Sequence, residues 1–338
     1  MKRAGHLLER VASRENLALA FWKASRGRGT SPVVRNFGSR LDGNLTDITR
    51  EILGGTIAIG GFSRFVVHDP KRREIHAVDF KQRVLHHAIL HVCGPVFERL
   101  AIDDSFACRP GKGNSAALVR AGDFARRYGF FLKMDIRKYF DSVDHACLQT
   151  GYRQLFKDSG LLQLWDRIVA SYHTEPGKGL PIGTLTSQFL ANFHLNGLDR
   201  FVKETLRCPG YVRFMDDFAL WGHSEAQLVE WRGRVSDWLA LHLGLKVKAG
   251  TRLLPCDAGM PFLGFRVLPH AVLLERKARR RLRTKLDRYE RMRRWGILSA
   301  AQLQRRVGAL LAHSDQARCR PWRIRLMSSR RGLTEALS

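Results

Sequence analysis

Two short apolar runs, Tyr211-Val212-Arg213-Phe214 and Phe218-Ala219-Leu220-Trp221, are separated only by Met215-Asp216-Asp217. Runs of four apolar or β-favouring residues around so brief a polar break read as two paired strands, with the two acids at the tip of the hairpin. Most Asp pairs at turns are solvated, because Asp bonds locally to the turn backbone. Here the apolar strands on both sides set the carboxylates at the edge of a buried sheet, where uncompensated charge is costly. A third run, Phe131-Leu132-Lys133-Met134-Asp135-Ile136, alternates like a strand and also ends in a carboxylate, after which Arg137 to His145 turns toward a helix. A strand-end Asp with a hairpin-tip Asp pair is a set of hard oxygen donors suited to Mg²⁺. Phosphoryl transfer to a hydroxyl is served by two such ions about 3.5–4 Å apart, one activating the attacking oxygen and one neutralising the leaving group.

Charge points the same way. The 338 residues carry 58 Lys and Arg against 31 Asp and Glu, a formal net charge of +27, so the surface favours polyanions and above all nucleic acid. Residues 271–338 alone hold 19 basic and 5 acidic residues. Within them Leu282, Leu286 and Tyr289, and after Gly296 Leu303, Val307, Leu310 and Leu311, recur at helical spacing, which predicts two basic amphipathic helices suited to a phosphate backbone. A composition that is 44% hydrophobic excludes a disordered chain, and the length excludes a small disulfide-stapled module. Six scattered cysteines form no CxxC and no Cys/His cluster, so buried, reduced thiols are expected rather than zinc. No run of 18 apolar residues occurs and the first residues are interrupted by charge, so the sequence predicts a cytoplasmic protein with no membrane partner.

Along the chain, Leu45, Ile48 and Ile52 predict a helix capped around Asp42 or Asn44 and stopped by Gly54-Gly55. Phe65 to His68 reads as a strand, closed by Asp69-Pro70 and the basic cluster Lys71-Arg72-Arg73; a helix carrying Val84, Ala88 and Ile89 follows. Cys108 to Asn114 is a basic loop broken by Gly and Pro. Gly179-Leu180-Pro181-Ile182-Gly183 precedes a helix with Leu185 and Phe189 and then Leu198, Phe201 and Val202, and its glycines permit close backbone approach to a ligand.

The strand Asp135 with Phe140 five residues on, the glycine loop, Phe214-Met215-Asp216-Asp217 and the later Phe262-Leu263-Gly264-Phe265 occur in the order of reverse transcriptase palm motifs. The chain resembles a reverse transcriptase over nearly its whole length. The loop Ile182-Gly183-Thr184-Leu185-Thr186-Ser187-Gln188, with Ser105 to Gly113 and Arg83 to Ala88, looks like that of the diversity-generating retroelement enzymes. Two departures are Phe214, where that family more often has Tyr, and Lys246-Val247-Lys248, a loose form of the motif that follows the hairpin.

The resemblance implies an α+β right-hand polymerase: an N-terminal helical extension (1–60), fingers (61–130), a palm with an antiparallel sheet (131–265, interrupted by a fingers segment at about 146–178) and a basic helical thumb (266–338). It implies that Asp135, Asp216 and Asp217, with the Ile136 carbonyl, hold two Mg²⁺ ions, Mn²⁺ being a substitute. Lys71 and Arg73 would grip the incoming dNTP, Arg73 with the better bidentate geometry. Phe140 would exclude a ribose 2′-hydroxyl, or is an ordinary core residue. Ile182, beside Gly183, would face the nascent base pair where other reverse transcriptases have Gln, or only packs; an apolar side chain cannot supply that amide's hydrogen bonds. Phe262, Leu263 and Gly264 would form the primer grip, and Arg279, Arg280 and Arg283 would contact the template–primer backbone. The implied partners are an RNA template, a DNA or RNA primer, dNTPs and a small basic accessory protein; the implied activity is RNA-directed DNA synthesis, error-prone at template adenines. The alternatives are an antiphage-defence reverse transcriptase copying a non-coding RNA, and a catalytically silent RNA-binding protein on a polymerase scaffold. No RNase H, nuclease or maturase region is expected within these 338 residues.

Overall fold

Helices open the chain: α1 (Leu8–Ala12), α2 (Arg14–Ser25), α3 (Pro32–Ser39) and α4 (Leu41–Leu53). The hairpin β1 (Ser63–Val67) and β2 (Arg73–Ala77) leads into α5 (Phe80–Glu98), α6 (Asn114–Arg127) and β3 (Phe130–Asp135). Then follow α7 (Tyr139–Ser142), α8 (His145–Arg153), α9 (Ser159–Ala170), α10 (Leu185–His194) and α11 (Asn196–Arg200). The predicted hairpin is β4 (Gly210–Phe214) and β5 (Asp217–Gly222), followed by α12 (Glu225–Leu243), β6 (Arg252–Pro255), β7 (Met260–Phe262), β8 (Phe265–Val267) and β9 (Val272–Leu274). The basic tail forms α13 (Arg276–Arg294), α14 (Ala300–Ala312) and α15 (Arg320–Ser328). This computed structural model describes residues 3–68, 72–317 and 319–328. It divides into two units: Met1–Arg109, Ile136–Thr205 and Arg234–Ala249 form one, and Pro110–Asp135, Leu206–Gly233 and Gly250–Ser338 the other.

The first unit is helical around α5. That helix buries residues on every side, Val84, Leu85, Ala88 and Ile89 among them, as a helix enclosed by others must. Asp79 starts it by accepting from the Gln82 N–H at 2.7 Å. Asp158 does the same for α9 and also accepts from the N–H groups of Leu7 and Leu8, both at 3.0 Å, tying the N-terminal segment to that helix. Burial alone would raise the Asp158 pKa, but these backbone donors outweigh it and hold the carboxyl below its usual value. The aromatic centre of the unit is Phe97, against Phe156, Trp165 and Phe193.

The second unit is built on a four-stranded antiparallel sheet in the order β4-β5-β3-β6. Phe131 and Trp221 are opposite one another on one face, with Gly210 beyond. A Cβ at Gly210 would lie 2.8 Å from the Trp221 Cβ, so only glycine permits that approach. Phe124 of α6 covers Trp221 at 5.4 Å. A three-stranded sheet, β7-β8-β9, leads into α13, whose Leu282 and Leu286 are buried, and α14, whose Leu303 and Val307 are buried.

The α+β class with antiparallel sheets is what the structure shows. Several local expectations need correction. The helix through Leu45 begins at Leu41, ahead of both expected caps; Asp42 lies in its first turn, and the Asn44 side chain instead donates to the Phe37 carbonyl at 2.9 Å. The helix from Leu185 does not run through Leu198: it stops at His194, and α11 and a π turn at Phe201–Thr205 follow. The six cysteines are free, but Cys108 is exposed and Cys147 half-buried. Among the described residues no helix is long and apolar enough to cross a membrane.

Burial pushes His86 and His194 down to about 4, so both are neutral in the folded chain. The unfolded chain takes up protons below about pH 6.5 that these rings refuse until about 4. Stability should therefore fall as the pH is lowered through that window. Thermal melts at pH 7 and pH 4.5 are expected to show a lower midpoint at pH 4.5, and His194→Leu, which removes one such ring, should make the difference smaller.

Candidate active site

The hairpin sets Asp216 and Asp217 in different positions. Phe214 pairs with Asp217, so Met215 and Asp216 are a two-residue turn and Asp217 is the first residue of β5. Met215 has φ +58°, the sign that the first position of such a turn requires and a conformation that costs a non-glycine residue about 1 kcal/mol or more. Beneath the turn Arg213, fully buried, donates from Nη1 to the Met215 carbonyl at 3.1 Å. The sequence shows Arg213 only as one charge inside an apolar strand. Its burial makes it the residue that fixes the turn from below.

β3 pairs with β5 so that Asp135 is directly opposite Asp217. Opposed residues of an antiparallel pair project from the same face, so the two carboxylates are neighbours. Lys133, two residues earlier and on that face too, reaches Asp217 Oδ1 at 2.5 Å. Its ammonium is 5.8 Å from the centre of the Phe262 ring. Asp135, Asp216 and Asp217 are all half-buried.

Among the described residues no three Asp, Glu, His or Cys side chains form a preformed metal cage. The donor chemistry nonetheless fits Mg²⁺. That ion keeps several waters and takes only one or two carboxylates together with substrate phosphates. Asp135 and Asp217, adjacent across the strands with Asp216 next in sequence, offer hard oxygens of this kind.

The nucleotide-side candidates lie in the first unit. Arg73 is the exposed first residue of β2; Lys71 lies outside the described residues. The His76 N–H of the same strand donates to the Ile182 carbonyl at 2.7 Å. Gly183 follows with φ +124°, and a Cβ there would meet Ile75 Cγ2 at 2.7 Å and the His76 carbonyl oxygen at 3.0 Å. On the other side the Leu180 N–H donates to the Phe140 carbonyl and the Gly179 N–H to the Val143 carbonyl, each at 2.8 Å. Backbone bonds thus connect the strand of Arg73, the loop of Ile182 and Gly183, and the helix of Phe140. Phe140 and Ile182 are both half-buried. Thr184 caps α10 and bonds Ser187 Oγ at 2.6 Å. Ile136 is buried in this unit, bridged to Val247, and Arg137 N–H donates to the Lys246 carbonyl, while Lys246 and Lys248 are exposed.

In the basic loop, Arg109 is structural: it pairs with Glu98 at 2.7 Å and donates to the Ser105 carbonyl at 2.6 Å. The β7–β8 turn is Leu263-Gly264, with φ +53° and +85°, a two-residue turn with both residues left-handed. Its flanking Phe262 and Phe265 are buried, and the Gly264 carbonyl accepts from the Glu275 N–H at 3.1 Å, fastening the turn to the start of α13. The Phe262 ring therefore packs inward, and Leu263 and Gly264 are the half-exposed part of that motif. Arg279 donates to the Leu274 carbonyl at 3.0 Å, and Arg279 and Arg283 both lie over the Trp322 ring; Arg280 and Arg283 are exposed.

The acid-tipped hairpin β4–β5 is thus paired to a strand that itself ends in Asp135. The model of the family "Reverse transcriptase (RNA-dependent DNA polymerase)" matches residues 68–266, more than half of the chain, and the chain belongs to that family. Similar curated proteins include the group II intron-encoded protein LtrA of Lactococcus lactis, 27% identical over 141 residues, which are 39% of this chain and 23% of LtrA. The putative COX1/OXI3 intron 2 protein of Saccharomyces cerevisiae is 24% identical over 106 residues, 29% of this chain and 12% of that protein. Protein YkfC of Escherichia coli is 24% identical over 145 residues, 40% of this chain and 38% of YkfC. The matches thus span well under half of each relative. Among solved structures, telomerase from Candida albicans with a TWJ fragment of telomeric RNA is similar at TM-score 0.45 and 12% identity, covering 64% of this chain and 45% of that one. Apo telomerase from Candida tropicalis is similar at TM-score 0.46 and 12% identity, covering 74% and 56%.

Gly183→Ala tests the loop geometry. It places a Cβ against β2 at a left-handed φ and is expected to lower stability by about 1–3 kcal/mol, read as a lower urea midpoint at unchanged slope.

Proposed function

We propose that this chain is an RNA-directed DNA polymerase that copies a dedicated RNA template into DNA, of the diversity-generating type and error-prone at template adenines. The observation that carries the polymerase reading is the register that sets Asp135 opposite Asp217 at the end of a buried sheet, with Asp216 at the adjoining turn. Two Mg²⁺ ions bound there, for which Mn²⁺ can substitute, would lower the pKa of the primer hydroxyl and neutralise the leaving pyrophosphate. Asp135, Asp216 and Asp217, with the Ile136 carbonyl, are the oxygens assigned to hold them.

The other residues bind and orient. Arg73 and Lys71 hold the triphosphate of the incoming dNTP, Arg73 through its planar fork. Phe140, fixed by the bond between its carbonyl and Leu180, takes the place of a steric stop against a 2′-hydroxyl. Ile182, held by its carbonyl to β2, presents an apolar side chain to the nascent base pair. A base pair selected there by shape without an amide's hydrogen bonds is selected less strictly. Leu263 and Gly264 position the primer; Arg280, with Arg279 and Arg283, holds the template–primer backbone without reading sequence. The N-terminal extension is assigned to 1–60, fingers to 61–130, palm to 131–265 with an inserted fingers segment at about 146–178, and thumb to 266–338. Template choice then falls to RNA structure and a small basic accessory protein.

The test is primer extension by protein purified with the RNA of its own locus. Asp216→Asn and Asp217→Asn should each reduce DNA synthesis by at least about 10³-fold while RNA binding persists. Undiminished synthesis would remove the metal assignment; RNA binding with no synthesis even by the native chain would make this an RNA-binding protein on a polymerase scaffold. Sequencing the products separates the finer readings. Substitutions concentrated at template adenines, reduced in Ile182→Gln, are expected; faithful copies of a structured non-coding RNA would indicate a defence enzyme instead.

A further inference from the structure

Lys133 is the charged residue of β3 that no motif accounts for, and the structure uses it at the acidic corner. It is on the same face as Asp135 and Asp217, its Nζ is 2.5 Å from Asp217 Oδ1, and both partners are largely removed from water, with side chains 16% and 27% exposed. On its other side the ammonium lies over the Phe262 ring at 5.8 Å, a contact that holds the cation in place by the ring's negative face. Phe262 is itself buried at the end of β7.

The charges explain the arrangement. Register forces Asp135 and Asp217 side by side, and Asp216 adds a third carboxylate at the adjoining turn. Like charges this close raise one another's energy unless a cation is near. Lys133 brings a cation to Asp217 from the strand that carries Asp135. The carboxylate it bonds is one that the metal reading assigns to a divalent ion. An ammonium in contact with this carboxylate repels a divalent ion brought to it and competes for its lone pairs.

We propose that Lys133 is a resident counter-cation of the catalytic carboxylates. In the metal-free enzyme it neutralises Asp217, and it is displaced when divalent metal arrives with nucleotide, so that metal binding to the free protein is held weak. This proposal rests on the metal reading of Asp135, Asp216 and Asp217. Lys133 is a positioning residue, since it acts through Asp217. The loss of its ion pair on metal entry would also release the ammonium from the Phe262 ring, linking the state of the carboxylates to the hairpin that carries Leu263 and Gly264.

The experiment is Mn²⁺ titration of the full chain, free of RNA and nucleotide, with unbound Mn²⁺ read by electron paramagnetic resonance. Lys133→Met, which keeps the length of the side chain and removes its charge, should bind Mn²⁺ at least fivefold more tightly than the native protein. Lys133→Arg, which keeps the charge, should stay within twofold of native, and Lys133→Met with Asp217→Asn should lose the gain. A melt in EDTA adds a second reading: Lys133→Met should lower the midpoint, and Mn²⁺ should restore it. Should Lys133→Met not fold, Lys133→Gln serves in its place. Equal or weaker Mn²⁺ binding by the charge-removed variant, with Asp135→Asn binding less than native, would overturn the proposal and leave the metal site standing. Native-like Mn²⁺ binding by Asp135→Asn and Asp217→Asn alike would overturn both.

Discussion

The antiparallel pairing of β3 with β5 is the interaction on which the site depends. Its register joins Phe131 to Trp221 in the buried middle of the sheet and Asp135 to Asp217 at its end. A slip of one residue would turn every side chain of β3 to the opposite face, sending Lys133 and Asp135 away from Asp217. The apolar residues that fix the pairing thus also fix the carboxylates. A sheet that buries Leu132, Phe218 and Leu220 completely has one register that keeps them inside, and the acids inherit that precision.

Three constrained backbone positions fall where the proposed chemistry occurs. Met215 and Leu263 are left-handed without being glycine, each in a two-residue hairpin turn, and Gly183 takes a φ that no side chain could share with β2 behind it. Each such conformation persists only because its surroundings hold it. Arg213 grips the carbonyl of Met215 from within the sheet, the Glu275 N–H holds Gly264, and β2 holds Ile182. Loops held by backbone bonds of this kind suit the proposed role, in which a nucleotide is recognised by geometry.

Much of this was legible in the sequence. The strands around Asp216 and Asp217, the strand ending at Asp135 and the two basic helices were all read from periodicity, because two apolar faces or one apolar stripe leave a local pattern. What escaped depends on contacts between distant segments. Arg213 reads as an outlier in a strand, and nothing local says that it is fully buried beneath a turn. Lys133 reads as a polar residue of an alternating strand; its partner is 84 positions away. Phe262 carries the motif of a primer contact, and nothing local says that its ring is buried. The helix break at Leu195 is followed by Asn196 and Gly197, a stop signal that the continuing apolar spacing of Leu198, Phe201 and Val202 masks. The three carboxylates were therefore legible as residues, and the charge that the fold sets beside them was not.

The most direct test of the account is to let the metal report its own position. Fe²⁺ added to the protein with ascorbate and peroxide generates hydroxyl radicals that cut the backbone within a few ångströms of wherever the ion binds. The account predicts that ascorbate and peroxide will produce cuts clustered around residue 135 and around residues 216–217, suppressed by excess Mg²⁺. Cuts confined to other segments, or a pattern at these positions that Mg²⁺ does not suppress, would contradict the claim that the end of the β3–β5 pair is a divalent-metal site.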